Sequence, residues 1–298
     1  MTHDAPGGFT ETEMYRILER AAGAVGLGCS GTRLLRGQTN AVVLLEEDGV
    51  VAKIARKGSR ADDVARTVEF VRWLTDAGFP TVPLHPVEQP VVIDGQAVTF
   101  WRHLPQPPLP VAAHQLAAPL RALRTLPAPP VALPAHDDLA AIRRSLGAIT
   151  CLPPETLAFL GDRADRLDAA LATVEFSLPE GVIQGDPQHR NALHLDGGAV
   201  LCDWDTVAFG QPEWDLVTVE VHCRRFGYGE RHYEAFAGAY GWDVTRWPGR
   251  PTLAAIRELR MITTNARKVH HAPAGLEEVQ RRVAGLRSED PFLRWNIL

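Results

Sequence analysis

One stretch, residues 182–203, constrains the fold of this chain more than any other. A short apolar run ends in a Gly-Asp-Pro turn, so Asp186 lies on a loop directly after a predicted strand. Two short apolar segments around Asp196-Gly197 then predict a β-hairpin. Because a hairpin brings its open ends together, we expect Asn191, before its first strand, to lie beside Asp203, after its second.

Three polar side chains of this stretch are therefore predicted to converge at one edge: Asp186, Asn191 and Asp203. Two carboxylates and an amide oxygen are hard donors that suit Mg²⁺, and a carboxylate can also take a proton from a nearby hydroxyl. The alternative is an ordinary turn and hairpin whose ends carry polar residues because they are solvated. The choice depends on whether the rest of the chain supplies a phosphate-binding half.

A second predicted hairpin, residues 41–55, turns at Asp48-Gly49 and places Lys53 inside an apolar strand. A lysine is costly to bury unless it is paired with an anion. Glu69, on the next predicted helix, is the candidate partner. The alternative is a lysine on the solvent face of an edge strand and a solvated glutamate.

A proline-rich segment, residues 104–110, marks a change in the character of the chain, since strands dominate before it and helices after it. We therefore predict a bilobal α+β protein with its boundary at this segment. Residues 1–104 form a small N-lobe with an antiparallel sheet and one main helix near 59–78, and residues 105–298 form a larger, mostly helical C-lobe. Strands are predicted at 33–35, 41–45, 50–55, 91–93 and 97–101, and other helices at 10–25, 112–125, 137–148, 155–175, 212–225, 229–240, 251–265 and 275–287.

Helix starts carry recognisable capping residues. Thr10 is predicted to cap the first helix, Asp137 or Asp138 to cap the helix at 137–148, and Ser59-Arg60-Ala61-Asp62 has the form of a capping box.

Composition limits the classes of function. Hydrophobic content of 45% and charged content of 22% over 298 residues are typical of a soluble globular protein. A net charge of -5 argues against a nucleic-acid partner, and no apolar run approaches the length of a membrane span. The start of the chain is not a signal peptide, and scattered cysteines without a C-x-x-C pair indicate reduced thiols. We expect a cytoplasmic protein without nucleic-acid or membrane partners, and its oligomeric state is left open.

The order of these parts resembles the protein-kinase-like fold, and more closely the aminoglycoside phosphotransferase family, over nearly the whole chain. The family's His-Gly-Asp-x-x-x-x-Asn motif is similar to the segment from Gly185-Asp186 to Asn191. The resemblance implies that Asp186 is the catalytic base, that Asn191 is a metal ligand and that Asp203 is the main Mg²⁺ ligand. Asp215 resembles the family's structural aspartate, which braces the catalytic loop.

The resemblance also implies a nucleotide site with ATP as co-substrate, GTP being left open. Lys53 and Glu69 resemble the family's lysine–glutamate ion pair, and Leu193 would form the floor of the adenine pocket. The backbone C=O of Arg102 and the N–H of Leu104 would meet the adenine. The implied nucleotide-binding residues are Gly37, Gln38, Thr39, Asn40, Lys53, Glu69, Arg102, Leu104 and Leu193.

The chain departs from the family pattern at two places. Gln184 replaces the histidine of the motif, and we expect this change to be tolerated because glutamine keeps both a donor and an acceptor. Trp204-Asp205 replaces Phe-Gly after Asp203, which leaves Asp205 available to support the metal ligands.

These observations predict an ATP-dependent phosphotransferase that moves the γ-phosphate to a hydroxyl of a small molecule, such as an aminoglycoside-like antibiotic or a related metabolite. The connector between Asp203 and Asp215 is too short for a peptide-binding activation segment, which argues against a protein kinase. The alternatives are a metabolic kinase of the sugar or choline type and a catalytically silent nucleotide-binding protein, for which Gln184 is the support.

Several acidic residues could line a site for a cationic acceptor: Asp137, Asp138, Asp162, Asp165 and Glu213. The interpretation favoured by the sequence is that most of them are helix starts and solvated faces.

Overall fold

The computed structural model describes residues 8–37, 40–269 and 273–298, and the backbone of residues 4–5. These residues form two compact units. The first comprises Met1–Pro110, Pro127–Ala132 and Leu193–Asp205, and the second comprises Val111–Leu126, Leu133–Ala192 and Thr206–Leu298. The sequence placed a single boundary at residue 104, whereas the chain passes between the two units at several points.

Strands are short and lie mainly in the first unit. In chain order they are β1 (Asp4–Ala5), β2 (Phe9–Thr10), β3 (Thr32–Arg36), β4 (Ala41–Leu45), β5 (Val50–Ile54), β6 (Val91–Ile93), β7 (Gln96–Arg102), β8 (Gly181–Ile183), β9 (Ala192–Leu195), β10 (Gly198–Leu201) and β11 (Ala208–Gly210).

A five-stranded antiparallel sheet of order β3-β4-β5-β7-β6 forms the first unit, as predicted. Its central strand β5 places Lys53 opposite Val42 on one side and Thr99 on the other. Asp94 and Gly95, with φ of 50° and 79°, turn the chain between β6 and β7. Two positive φ angles are what a tight hairpin turn requires, which is why the Asp-Gly signal was reliable.

The remaining regular secondary structure is mainly α-helical. They are α1 (Glu11–Ala24), α2 (Ala61–Asp76), α3 (Ala113–Leu123), α4 (Asp138–Leu146), α5 (Pro154–Leu171), α6 (Glu213–Arg225), α7 (Glu230–Tyr240), α8 (Arg250–Lys268) and α9 (Leu276–Arg287). Each corresponds to a helix predicted from apolar periodicity.

Two predicted helix caps are confirmed and one is wrong. The Thr10 hydroxyl accepts a hydrogen bond from Glu13 N–H at 3.2 Å, and Asp137 accepts one from Ala140 N–H at 2.8 Å. The N-cap of α2 is Arg60, without a side-chain hydrogen bond, so the capping box predicted at Ser59–Asp62 does not form. The helix begins one residue later because the Arg60 carbonyl accepts its first hydrogen bond, from Val64 N–H at 3.3 Å.

The core of the first unit lies between α1 and the sheet. Met14, Ile17 and Leu18 of α1 are buried in one apolar cluster with residues of β4, β5 and β7. Burying this face of α1 holds the sheet from one side and fixes the position of β5.

The second unit is helical, with one two-stranded antiparallel sheet. Helix α3 packs against α7, and α8 packs against α4, α5 and α6. Strand β8, which leads into the Asp186 loop, pairs with β11, so that Ile183 lies opposite Ala208. The sequence did not predict β11, because three residues are too few to show an alternating pattern.

Among the described residues, none of the helices combines the length and the apolar content needed to cross a membrane. The four cysteines of the chain are free thiols in the structure, as predicted.

Candidate functional site

Lys53 is the centre of a charged cluster in the first unit. Its side chain is 15% exposed, and its Nζ atom lies 2.7 Å from Oδ1 of Asp203 and 2.7 Å from Oδ1 of Asp205. Burial alone would lower the pKa of Lys53, but the two carboxylates more than offset it and raise the pKa above its ordinary value. The lysine in the apolar strand therefore carries its charge and has anionic partners.

The predicted partner of this lysine was Glu69, and that ion pair does not form among the described residues. Glu69 is exposed on α2, between the buried side chains of Val68 and Phe70. Its neighbours face the core, so Glu69 points away from it, and the anionic partners of Lys53 come instead from the segment after β10. A role for Glu69 in binding nucleotide stays a prediction.

Trp204 anchors the segment that carries the two aspartates. Its side chain is fully buried, donates a hydrogen bond from Nε1 to Thr81 Oγ1 at 2.8 Å, and packs edge-to-face on Phe70 and Phe79. Asp203 has a φ of 58°, in the left-handed region that non-glycine residues rarely adopt. Because Trp204 lies between Asp203 and Asp205 in the chain, its buried indole fixes the backbone of both aspartates. Both side chains therefore reach Lys53.

Asn40, the last residue of the predicted nucleotide loop, belongs to the same cluster. Its amide nitrogen donates to Asp205 Oδ2 at 2.9 Å, and its amide oxygen accepts from Arg56 N–H at 3.1 Å. Gly37 is half-buried at the end of β3. Gln38 and Thr39 lie outside the described residues, so the loop they belong to stays a prediction.

The residues predicted to meet the adenine all lie in the first unit. Arg102 is exposed at the end of β7, where its N–H donates to the Pro83 carbonyl at 2.9 Å. Leu104 is half-buried just after this strand and Leu193 is half-buried in β9. Their contacts with a nucleotide stay a prediction.

In the second unit, the loop after β8 brings Asp186 and Asn191 together. The amide nitrogen of Asn191 donates to the Asp186 backbone carbonyl at 2.9 Å and to its Oδ2 at 3.3 Å. Gln188 also donates to Oδ2, at 2.7 Å. The side chain of Asp186 is therefore held in one orientation, with 23% of it exposed.

The side chain of Asp215 holds this loop in place by binding the loop's backbone N–H groups. The N–H groups of Gln184 and Gly185 donate to its two carboxylate oxygens at 2.8 and 2.9 Å. Burial raises the pKa of Asp215 to about 6, although the two N–H donors act in the opposite direction. This is the bracing contact that the resemblance implied for Asp215.

Gly185 is required by the close approach of the chain segment before β11. Its φ is 83°, and a Cβ atom at this position would lie 2.3 Å from the carbonyl oxygen of Thr206. A side chain there would displace backbone atoms, so the glycine of the Gly-Asp-Pro turn is a structural requirement.

Sequence reasoning missed a cation beside Asp186. Arg257, on α8, donates from its terminal nitrogen to Asp186 Oδ1, and the same nitrogen lies 3.1 Å from Nε2 of His222. Burial, and then the charge of Arg257, lower the pKa of His222, so its ring is neutral and can accept. Since Arg257 is 71 positions from Asp186 and sits in an ordinary amphipathic helix, no local pattern could have identified it.

A stack of aromatic rings supports the same loop. His189 stacks on Tyr228 at 4.2 Å between ring centroids, and its Nε2 lies 3.0 Å from Nε2 of His232. Burial lowers the pKa of His189 to about 4. Although the side chain of Cys223 is close to both histidines, Nε2 of His232 already accepts the Ala113 N–H at 3.0 Å, and this group is interpreted as packing.

The donor chemistry in the first unit fits a magnesium ion. Asp203 and Asp205 are partly exposed, at 39% and 45% of their side-chain surface, and they offer carboxylate oxygens. Hard oxygen donors near a surface are what Mg²⁺ prefers, because the ion retains several of its waters.

A sequence profile of the phosphotransferase enzyme family matches residues 30–256 of the chain. No curated protein sequence matches this chain. Among solved structures, the amicoumacin kinase hAmiN superposes with a TM-score of 0.71 at 14% identity, covering 95% of each chain.

Two further structures have the same fold. A choline/ethanolamine kinase family protein from Mesorhizobium loti gives a TM-score of 0.68 at 17% identity, with 92% of this chain and 94% of that chain covered. The aminoglycoside phosphotransferase APH(3'')-Id from Streptomyces rimosus gives 0.60 at 18% identity, with 84% and 97% covered. These TM-scores establish the protein-kinase-like fold, and the profile match covers well over half of the chain, so this protein belongs to the phosphotransferase enzyme family.

Proposed function

We propose that this protein is an ATP-dependent small-molecule kinase that transfers the γ-phosphate to a hydroxyl group of its acceptor. The observation that carries the proposal is the state of Asp186, whose carboxylate is partly exposed on a loop that Asp215 and Asn191 hold in place. A fixed, partly exposed carboxylate is suited to orient a hydroxyl and to take its proton.

In the proposed reaction, the acceptor oxygen forms a bond to the γ-phosphorus while the bond from that phosphorus to its bridging oxygen breaks. ADP leaves, and the hydroxyl proton passes to Asp186. Phosphoryl transfer needs little covalent help from a protein, so positioning and charge neutralisation supply most of the effect.

Lys53 is assigned to the α- and β-phosphates of the nucleotide. Its raised pKa, which follows from its carboxylate neighbours despite burial, supports this role because the group stays charged at neutral pH. Asp203 and Asn191 are proposed as the ligands of Mg²⁺, with Asp205 in support. The bound ion would neutralise phosphate charge.

The remaining nucleotide contacts are proposed from the family resemblance: Gly37, Gln38, Thr39, Asn40, Glu69, Arg102, Leu104 and Leu193. The structure named for amicoumacin kinase holds AMP-PNP, whereas that of another aminoglycoside phosphotransferase holds GDP. We therefore assign ATP as the co-substrate and keep GTP as the second nucleotide to be tested.

A catalytically silent nucleotide-binding protein is the competing function. Its support was Gln184, which stands where the family has histidine. In the structure the Gln184 side-chain oxygen accepts the Asp186 N–H at 2.7 Å, so glutamine at this position supplies the loop with a hydrogen-bond acceptor. The kinase is therefore the function we propose.

The test is nucleotide turnover by the purified protein. ADP release should require Mg²⁺ and ATP, and it should rise when a hydroxylated acceptor is added from a panel of amino alcohols, sugars, hydroxy acids and aminoglycosides. Asp186→Asn is the matched control, since it retains the shape of the side chain. Tight Mg-ATP binding with turnover that no acceptor stimulates, and that Asp186→Asn leaves unchanged, would favour the silent protein.

A further inference from the structure

Helix α8 carries a row of arginine residues that begins beside Asp186. Arg257, Arg260 and Arg267 recur at helical spacings, so they lie along one side of the helix. Burial lowers the pKa of Arg260, and the charges of Arg257 and Arg267 lower it further, while Asp138 and Asp186 act in the opposite direction. Arg260, which lies between the other two on the helix, thus has positive charge on both sides of it.

Arg257 is a buried cation with an unused donor. The residue is 6% exposed, and its terminal nitrogen serves both Asp186 Oδ1 and His222. Its Nε atom has no hydrogen-bond partner among the described residues. Buried polar groups are nearly always paired, so this unpaired N–H is a donor that an anion could satisfy once the guanidinium moves away from Asp186.

The position of Arg257 determines what can approach Asp186. Oδ1 of Asp186 accepts from Arg257, while Oδ2 accepts from Gln188 and Asn191. A hydroxyl that hydrogen-bonds to Asp186 must therefore come alongside a guanidinium group. A cationic substituent next to that hydroxyl would be repelled, and an anionic substituent would be attracted.

Four of the five acidic residues that could have received a cationic acceptor are engaged elsewhere, and the fifth, Asp162, is exposed on α5. Asp137 caps α4, Asp138 lies 2.8 Å from His136, and Asp165 pairs with Arg143. Glu213 is fully buried and accepts the backbone N–H groups of residues 177 and 178 at 2.7 and 2.8 Å.

Two further buried acids of this unit are neutralised by arginine. Glu220 accepts from Arg224 and Arg250, and Glu258 accepts from Arg224 and Arg225. Beside Asp186 the cationic groups are those of α8, where Arg257 pairs with Asp186 itself and the Nε of Arg260 lies 3.4 Å from Asp138 Oδ1.

We propose that the acceptor of this kinase carries an anionic group, a carboxylate or a phosphate ester, near the hydroxyl that receives the phosphate, and that Arg257 and Arg260 bind this group. The inference rests on the proposed function, because it concerns the acceptor of the same site. Arg257 then acts as a positioning residue, which exchanges its contact with Asp186 for one with the acceptor and leaves Oδ1 to the hydroxyl.

The test uses four small diols that differ in one substituent: D-glycerate, glycerol 3-phosphate, glycerol and 3-amino-1,2-propanediol. Their affinities for the protein saturated with AMP-PNP and Mg²⁺ are measured by ligand-observed NMR at equal ionic strength, since salt screens charge. At least one anionic diol should bind about tenfold more tightly than glycerol, and the cationic diol should bind most weakly. Comparing the two anions distinguishes a carboxylate from a phosphate ester.

Variants assign the preference to α8. Arg260→Gln should remove the preference for the anion, and Arg260→Lys should restore part of it, while AMP-PNP affinity is unchanged. Arg143→Gln, which removes an exposed arginine of α4, is the matched control and should bind all four diols like wild type.

Glycerol or the cationic diol binding as tightly as both anions would overturn the inference, and so would an anion preference that survives Arg260→Gln. Either result could occur with normal Mg-ATP binding and turnover, which would leave the kinase proposal standing. Failure of the kinase proposal would show separately, either as absent Mg-ATP binding in calorimetry or as ADP release that no acceptor stimulates and that Asp186→Asn leaves unchanged.

Discussion

The side-chain oxygen of Gln184 accepts a hydrogen bond from the backbone N–H of Asp186 at 2.7 Å. Gln184 is fully buried and the hydrogen bond is partly buried, so this N–H has limited access to water if the contact is lost. A histidine at the same position could supply a ring nitrogen as acceptor, and this is the sense in which glutamine substitutes for it.

Replacing Gln184 by leucine should disturb the loop, whereas replacing it by histidine should not. Gln184→Leu leaves the partly buried Asp186 N–H without its acceptor, which costs about 1 kcal/mol. We expect a lower free energy of unfolding and a lower kcat. Gln184→His should keep kcat within about tenfold, an effect of about 1.4 kcal/mol on the barrier. Urea unfolding and steady-state kinetics of both variants measure this, and equal effects of the two changes would contradict the role assigned to the oxygen.

Lys53→Met should weaken nucleotide binding and leave the protein folded. The change removes the cation that lies 2.7 Å from both Asp203 and Asp205, and with it the charged contact to phosphate. A charged hydrogen bond is worth about 1.5–3 kcal/mol, so Mg-ATP affinity should fall on the order of tenfold to a hundredfold. Titration calorimetry measures the change.

The matched control is Lys57→Met, since Lys57 forms its ion pair with Glu13 at 2.7 Å on the surface. Nucleotide affinity that falls equally in both variants would show that loss of positive charge in general, and not the contact at Lys53, is responsible.

Lys53 also shows which features of the site could be predicted from the sequence. An apolar strand with a lysine at its middle is a local pattern, so its position on β5 and its need for an anion were predictable. Its partners were not, because Asp203 and Asp205 are 150 and 152 positions away. Glu69 was predicted because it lies on the next helix, at the margin of its apolar face, but the packing of Val68 and Phe70 directs it outward.

The loop at Asp186 was likewise predictable in part. The Gly-Asp-Pro turn and the contact with Asn191, five positions on, follow from short-range signals. The arginine beside Asp186 comes from a helix far along the chain, and its periodicity is that of any amphipathic helix. Local rules therefore predicted the loop and the proximity of Asp186 and Asn191, whereas the charge beside Asp186 depends on tertiary packing.

Asp215 should make the stability of the protein depend on pH. Burial raises its pKa to about 6 in the folded protein, against about 3.9 in an unfolded chain. Between these values the folded state holds more protons, so the free energy of unfolding falls as the pH rises through this window. From pH 5 to pH 7 the loss from this group should be about 1 kcal/mol.

Urea unfolding of wild type and Asp215→Asn at the two pH values measures this loss. Asparagine does not ionise, so wild type should lose stability relative to the variant as the pH rises. Asp162→Asn, at an exposed position of α5, controls for the removal of one carboxylate. A difference between wild type and Asp215→Asn that is the same at both pH values would contradict the raised pKa.

Asp186→Asn should lower kcat and leave nucleotide affinity nearly unchanged. Asparagine keeps the shape and one acceptor oxygen, but it cannot take the proton of the acceptor hydroxyl. A positioned base contributes about 10²–10⁴-fold, so kcat with a saturating acceptor should fall by that factor. The nucleotide is assigned to Lys53 and to other residues of the first unit, so calorimetry should show Mg-ATP bound as in wild type.

The variant also alters the contact with Arg257, because the guanidinium loses its carboxylate partner. An unfolding measurement is therefore needed beside the kinetics, since a buried arginine without its counter-charge destabilises the fold. A variant that is folded, binds Mg-ATP and has lost kcat supports Asp186 as the base. A folded variant that retains the full kcat of wild type would remove Asp186 from the chemical step, and the loop after β8 would then have only a structural role.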